Sequence, residues 1–144
     1  MSMLTKKYNE TEMLAMLSKL LTEPDEYIET AVYCMFHETG FMSGGSIPGY
    51  AAITSKNRFI GCKMALLNTA PVWISMDFLR KIKISNALLG HKSVYMEFKS
   101  DKTYKIKIQL ASKIYISKFP NQERNVESML EILRAKQDML NLEM

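Results

Sequence analysis

The stretch YAAITSKNRFIGCKMAL, Tyr50 to Leu66, reads as two short strands joined by a tight turn at Ser55 to Asn57. A hairpin here makes the centre of the chain a β structure, and the flanking segments agree with it. Upstream, YIETAVYCMFHE carries apolar residues on both parities, with Ile28, Val32, Cys34 and Phe36 on one and Ala31, Tyr33 and Met35 on the other. A strand apolar on both faces is covered on both sides. Downstream, PVWISM is a further short strand with Pro71 tolerable at its first position.

The segments that follow alternate with period two. FLRKIKIS puts Phe78, Arg80, Ile82 and Ile84 on one parity and Leu79, Lys81, Lys83 and Ser85 on the other. SVYMEF groups Val94, Met96 and Phe98, and TYKIKIQL turns Tyr104, Ile106, Ile108 and Leu110 inward with Lys105, Lys107 and Gln109 outward. Half-buried antiparallel strands produce this pattern. NALLGHK and KSDKT between them have the chemistry of turns.

Helical spacing appears at both ends. Asn9 with Glu12 three residues later predicts a capped start, after which Met13, Leu14, Met16, Leu17, Leu20 and Leu21 form an amphipathic helix of about three turns. A helix so short must pack on something, its own domain or a second copy of the chain. After KFPNQERN, Asn121 caps a second helix expected over about 121–138, with Val126, Met129, Leu130, Leu133 and Leu140 along one stripe. Extended from Gln122 to Asn141 it would measure about 30 Å, more than one small sheet can cover.

At 144 residues and 47% hydrophobic, the chain suits one domain with a substantial core. The expected organisation is an N-terminal amphipathic helix over 1–24 packed on a domain spanning 25–144. Two cysteines, Cys34 and Cys62, are too few for a secreted disulfide scaffold, and MSMLTKKYNETEM lacks the apolar core of a signal peptide. No segment is apolar enough to span a membrane, so a reducing cytoplasm is the expected location. Charge is unevenly distributed: residues 51–120 hold 13 Lys and Arg against 3 Asp and Glu, while residues 1–50 hold 3 against 7. The basic middle either faces an acidic partner or is neutralised by the acidic ends.

Six or seven short antiparallel strands and a C-terminal amphipathic helix follow the order of a pleckstrin-homology (PH) domain, in which the helix plugs one end of a strongly bent sheet sandwich. The residues themselves resemble the bacterial PH-like family. The resemblance rests on EPDEYIETAVYCMF for its acidic "gE" segment and opening strand, on PGYAAITSKNRFIGCK for its glycine-introduced strand and "lTnkRli" turn, and on WISMDFLRKIKI for a later strand. It covers residues 23 to 137 and implies a mainly β fold, a bent antiparallel sandwich or barrel of six to seven strands. It also implies a binding or scaffolding module with no catalytic residues to transfer. Lipid-binding PH domains set lysines and arginines on the first two strands and their loop; between Tyr27 and Ser55 this chain has none, and carries Glu29 and Glu38.

Several constellations invite a chemical reading. ETGFMSGGSIPGY, Glu38 to Tyr50, has glycines at phosphate-loop spacing, but Ser46 stands where lysine is required, and Pro48 and Gly49 stop the helix that should follow. It reads as the first hairpin loop, with Phe41, Met42 and Ile47 able to touch an apolar partner. Cys34, His37, Cys62 and His91 make a formal zinc set, yet residues three apart on a strand face opposite sides, so Cys34 and His37 diverge. The same divergence argues against a Cys/His nucleophile pair. Asp77, Glu97 and Asp101 lie near turns or at outward positions and do not converge as an acid and base pair. Trp73, Tyr33 and Tyr95 would line a groove or build the core.

Lys81, Lys83, Lys99, Lys105 and Lys107 fall at outward positions and would attract anionic lipid headgroups, at about 1 kcal/mol per charge, or an acidic protein. Nucleic acid is not expected, since no aromatic ladder interleaves the basic residues. The leading expectation is a non-enzymatic module, without metal, cofactor or small-molecule ligand, that binds a protein partner or itself through its helices and a sheet edge. The interaction helix would use Met13, Leu14, Leu17, Leu20 and Leu21. Peripheral binding to anionic membranes through the lysines is the alternative, and a small-ligand carrier near Trp73 the third reading.

Overall fold

A computed structural model describes residues 9–37, 45–64, 71–111 and 118–142. Seven strands make one antiparallel sheet: β1 (Ile28–His37), β2 (Ser46–Thr54), β3 (Arg58–Lys63), β4 (Val72–Ser75), β5 (Leu79–Asn86), β6 (Lys92–Lys99) and β7 (Thr103–Leu110). Their spatial order is β4-β3-β2-β1-β7-β6-β5. Two meanders, β1 to β4 and β5 to β7, are thus joined where β1 meets β7. That join is short, pairing Cys34–Phe36 with Ile108–Leu110, so the first five residues of β7 pair with β6 alone among the described residues. The sheet does not close into a barrel; β4 and β5 remain its two edges.

Each face of the central strands has its own cover. On the inner face Val32, Cys34, Phe36, Ile53 and Phe59 meet Val94, Met96, Phe98, Ile108 and Leu110 from the second meander. The C-terminal helix closes this core with Val126, Met129, Leu130 and Leu133, all at least nine-tenths buried. On the outer face Ala31, Tyr33, Tyr50, Ala52 and Ile60 are roofed by Met13 and Leu17 of α1 (Glu10–Ser18) and by Phe119. Coverage on both sides is what the doubly apolar β1 segment required.

The two-stranded reading of Tyr50 to Leu66 holds through Lys63, where β3 ends. Ser55, Lys56 and Asn57 connect β2 to β3, and Asn57 takes a left-handed φ of 59° with its N–H donating to Thr54 O. Asparagine tolerates that conformation at little cost. The end of the glycine-rich segment belongs to β2, not to a loop. Pro48 lies opposite Met35, and its carbonyl accepts from Met64 N–H just past the end of β3, so its main-chain groups face β3 and the missing N–H costs no bond to β1. Gly49 is required by close approach: a Cβ there would lie 2.4 Å from Cys62 O and 2.8 Å from the Phe36 ring.

Two bulges overturn parity where the sequence alone kept it constant. Between Ile28 and Thr30 the register with β2 slips by one residue, so Ile28 packs with the outer cluster while Val32, of the same parity, faces inward. Between Leu79 and Lys81 the register with β6 slips as well. Leu79 is thereby buried, whereas Phe78, placed by alternation with Ile82, is exposed in the short 3-10 turn Met76–Phe78. A bulge inserts one residue and exchanges the faces on one side of it.

Helix α1 begins as expected, with Asn9 Oδ1 accepting from Glu12 N–H at 2.8 Å. It ends at Ser18, short of Leu20 and Leu21, whose N–H groups instead close three-residue bonds to Leu17 and Ser18. The C-terminal helix α2 (Gln122–Leu142) runs four residues past the expected end at 138. Its last turn overhangs the core: Leu140 still packs against it, while Leu142 is 85% exposed.

Candidate functional site

Buried polar groups fix the strands that frame the site. Glu26, just before β1, is buried and accepts from Thr54 Oγ1 at 2.6 Å and from Arg58 Nε and Nη2, each at 2.9 Å. Arg58 Nη2 also donates to Leu20 O, tying the end of the α1 segment to the β2–β3 hairpin. The Arg58 guanidinium, helped by Thr54 and the Thr22 and Glu23 amides, holds the Glu26 carboxyl down at about 2 against the penalty of burial. Glu26, Thr54 and Arg58 come from the two segments that carry the "gE" and "lTnkRli" resemblance, which gives those motifs a physical content. At the other end, buried Gln122 presents its amide to the backbone of Tyr33. Oε1 accepts from Tyr33 N–H and Nε2 donates to Tyr33 O and Ala111 O, so the side chain stands in for a strand beyond the short β1–β7 join. Neither the ion pair nor Gln122 is marked by sequence periodicity.

Beside β4 lies a groove of about 700 Å³. Trp73, Ile74, Phe78, Tyr104 and Ile106 supply its apolar lining. Trp73 is 66% exposed, and Phe78 and Tyr104 are exposed too. Lys63, Lys105 and Arg58 are the cations of the lining, which includes no carboxylate among the described residues. Lys102 Nζ lies 5.3 Å from the centre of the Tyr104 ring, adding a positive charge near the groove. β4 forms one wall as an edge strand, and the start of β7, free of β1, forms the opposite one. Sequence reasoning named Trp73 but missed Phe78 and Tyr104, whose parity it assigned to the core.

The five lysines share a face of the second meander, with Lys105 also bordering the groove. Lys81 lies opposite Glu97 and Glu97 opposite Lys105, while Lys83, Tyr95 and Lys107 make the next cross-strand row. Lys99, two residues beyond Glu97 on β6, shares the face. All five lysines are exposed. Glu97 sits in their midst and accepts a hydrogen bond of 2.6 Å from Tyr95 Oη, which raises the Tyr95 phenol above its ordinary value.

The remaining candidates are spread apart. Cys34 belongs to the inner core and Cys62 packs on the outer cluster, across the sheet. Burial pushes both thiols up, Cys62 to about 11, so neither carries much thiolate at neutral pH. His37 and His91 flank Gln109, with His37 Nε2 3.2 Å from Gln109 Oε1 and Gln109 Nε2 2.7 Å from His91 Nδ1. This amide bridge joins the histidines on the side away from Cys34. Tyr33 packs edgewise against Tyr50 and at a tilt against Phe119 in the outer cluster, and Tyr95 stands among the lysines; of the three aromatics considered for a groove, Trp73 is the one that lines the groove beside β4.

The apolar stripe of helix α1 is used by the outer face of β1 to β3. Met13 and Leu17 are buried, Leu20 and Leu21 pack half-buried on the same cluster, and Leu14 is 45% exposed. Phe41 and Met42 lie outside the described residues, and Ile47 is half-buried in β2 opposite Phe36. Where a phosphate loop needs a helix, β2 follows. No described helix is long and apolar enough to cross a membrane.

No family model and no curated protein matches this sequence. Among solved structures, the fold is similar to the hSac2 domain from the human phosphoinositide phosphatase Sac2, with a TM-score of 0.54 and 14% identity. The match covers 90% of this chain and 85% of that domain. The architecture is therefore PH-like: mostly β, an unclosed seven-stranded antiparallel sheet with a C-terminal helix and a short N-terminal one.

Proposed function

We propose that this chain is a non-catalytic PH-like module of the bacterial type that docks a protein partner at the groove beside β4. The observation that carries the reading is an uncharged edge strand whose Trp73 side chain is 66% exposed beside two further exposed aromatics. Exposed aromatic residues over a desolvated groove are the usual anchors of protein interfaces. Raised thiols, and histidines gathered on the side away from Cys34, favour binding over chemistry. Capture from an extract of the source cells, with the whole chain and a Trp73→Ala, Phe78→Ala variant side by side, tests the reading. At least one protein should be retained by the parent and lost with the variant. Identical retention by both would remove the groove as the docking site.

The alternative reading is peripheral attachment to an anionic membrane through Lys81, Lys83, Lys99, Lys105 and Lys107. It is favoured by their gathering on one sheet face around Glu97. Co-sedimentation should then be stronger with anionic than with neutral vesicles and fall as salt rises. Equal recovery on both would end it.

A further inference from the structure

We infer that the groove takes an extended, acidic segment of the partner, which hydrogen-bonds to β4 as an eighth strand. This rests on the reading of the chain as a protein-docking module, and it specifies the chemistry of what docks.

Backbone direction supplies the first argument. Met76 N–H donates to Asn57 O at 2.7 Å, one step beyond the Arg58–Ser75 pair, so the main-chain groups of Met76 point toward β3. Along an antiparallel strand this direction alternates residue by residue. Ile74 and Val72 therefore also serve β3, and Trp73 and Ser75 direct their N–H and C=O groups outward, into the groove. These are the groups that strand addition uses.

Side-chain direction supplies the second. Trp73 lies opposite Ile60 of the outer cluster, while Ile74 lies opposite Phe59 of the inner core. Residues paired across strands share a face. A strand laid along β4 would send alternate side chains to the two faces, one set beside Trp73 and the other into the cleft of Ile74, Phe78, Tyr104 and Ile106. The groove reaches both sides of the β4 edge, as such a ligand needs.

Charge selects the occupant. With Lys105 lining the groove, Lys102 beside its Tyr104 and no carboxylate among the described lining residues, acidic residues flanking the apolar anchors are favoured. A second copy pairing β4 with β4 about a two-fold axis would bring like charges together. A partner segment with apolar residues at every second position and a net negative charge fits instead.

Peptide display on the full chain, followed by binding measurements on the winning peptides, tests the inference. Enriched sequences should alternate apolar residues with period two and be acidic. On binding, the amides of Trp73 and Ser75 should become protected from exchange. Ser75 has φ −69°, which proline adopts without strain, so Ser75→Pro deletes an outward N–H from an otherwise permitted backbone. It should weaken the peptide about tenfold, whereas Ser75→Ala, which loses the hydroxyl that accepts from Asp77 N–H, should not. No enrichment, enrichment without alternation or acidity, or unprotected Trp73 and Ser75 amides would each overturn strand addition. So would self-association through β4 in place of peptide binding. If Ser75→Pro binds normally while Trp73→Ala does not, strand addition fails and docking at the groove survives. If capture from extract is also indifferent to Trp73 and Phe78, the docking reading falls with it.

Discussion

The two edges of the sheet are built in opposite ways. β5 is guarded along its first five residues: a bulge at Arg80 breaks its register, and Lys81 and Lys83 project from it. Arg80 Nη1 donates to the carbonyls of Asp77 and Leu79, and Gln137 of α2 donates from Nε2 to Ile82 O at 2.9 Å. Bulges, lysines and a covering helix are the devices by which proteins keep an edge from pairing. Among the described residues β4 has none of them along Val72–Ser75, and its exposed side chain is a tryptophan. The proposed docking at β4 rests on this contrast between a sealed edge and an apolar one.

The largest expected effect comes from cutting what holds the open side in place. Arg58 lies opposite Ser75 of β4 and packs, half-buried, against the buried Glu26. Glu26→Ala would strand the guanidinium without a counter-charge and should cost about 3–5 kcal/mol in urea unfolding at pH 7. A loss under about 1 kcal/mol would mean that the pair is incidental. The same group predicts an acid response. Its folded value lies near 2, below the ordinary carboxylate value of 4.5. The unfolded chain thus takes up a proton first as pH falls, and the stability Glu26 contributes is complete above about 4.5 and drains away toward 2. Glu26→Gln should flatten that part of the pH profile; an unchanged slope would assign the acid response to other groups.

Gln122→Ala should come next, at about 1–3 kcal/mol, because it removes the buried amide that bonds both main-chain groups of Tyr33 where β1 and β7 part. An effect within error in urea unfolding would show that water replaces the amide. A smaller effect is expected at the guarded edge. Gln137→Ala removes the donor to Ile82 O and should cost about 1 kcal/mol. Combined with Arg80→Ser, Lys81→Thr and Lys83→Thr, it should make the chain associate more steeply with concentration than its parent in light scattering. If association does not increase, the guards are ornamental and the contrast between the edges weakens.

Much of this architecture was legible because strands and helices impress their periods on the sequence. The 50–63 hairpin, the doubly covered β1, the inward set Val94, Met96 and Phe98 and the start of α1 all follow from local spacing. The failures share a cause. The bulges at Glu29 and Arg80 each exchange two faces without a mark in composition, and so hid Phe78 from view. The groove draws Trp73, Phe78 and Tyr104 from separate elements, and β4 becomes an edge only through the order of strands, which no local window contains. Likewise Glu26 and Arg58 look like ordinary surface charges until the hairpin folds back over them. The lysines were placed on one face by alternation alone, because β5 beyond Arg80, β6 and β7 keep their register.

The smallest expected effect on stability discriminates most sharply between a binding edge and an unfinished core. Trp73→Lys adds to β4 the same guard that β5 already carries. Because two-thirds of the indole is exposed, the urea midpoint should move by no more than about 0.5 kcal/mol in either direction. Ile74→Lys, one residue along, would force a charge toward the inner core that Ile74 packs against and should cost several times more. Partner capture should nonetheless be lost with Trp73→Lys, since a lysine at the groove wall removes the anchor and blocks strand approach. Were Trp73→Lys as destabilising as Ile74→Lys, the indole would be a structural residue of the sheet, and the openness of β4 would say nothing about a partner.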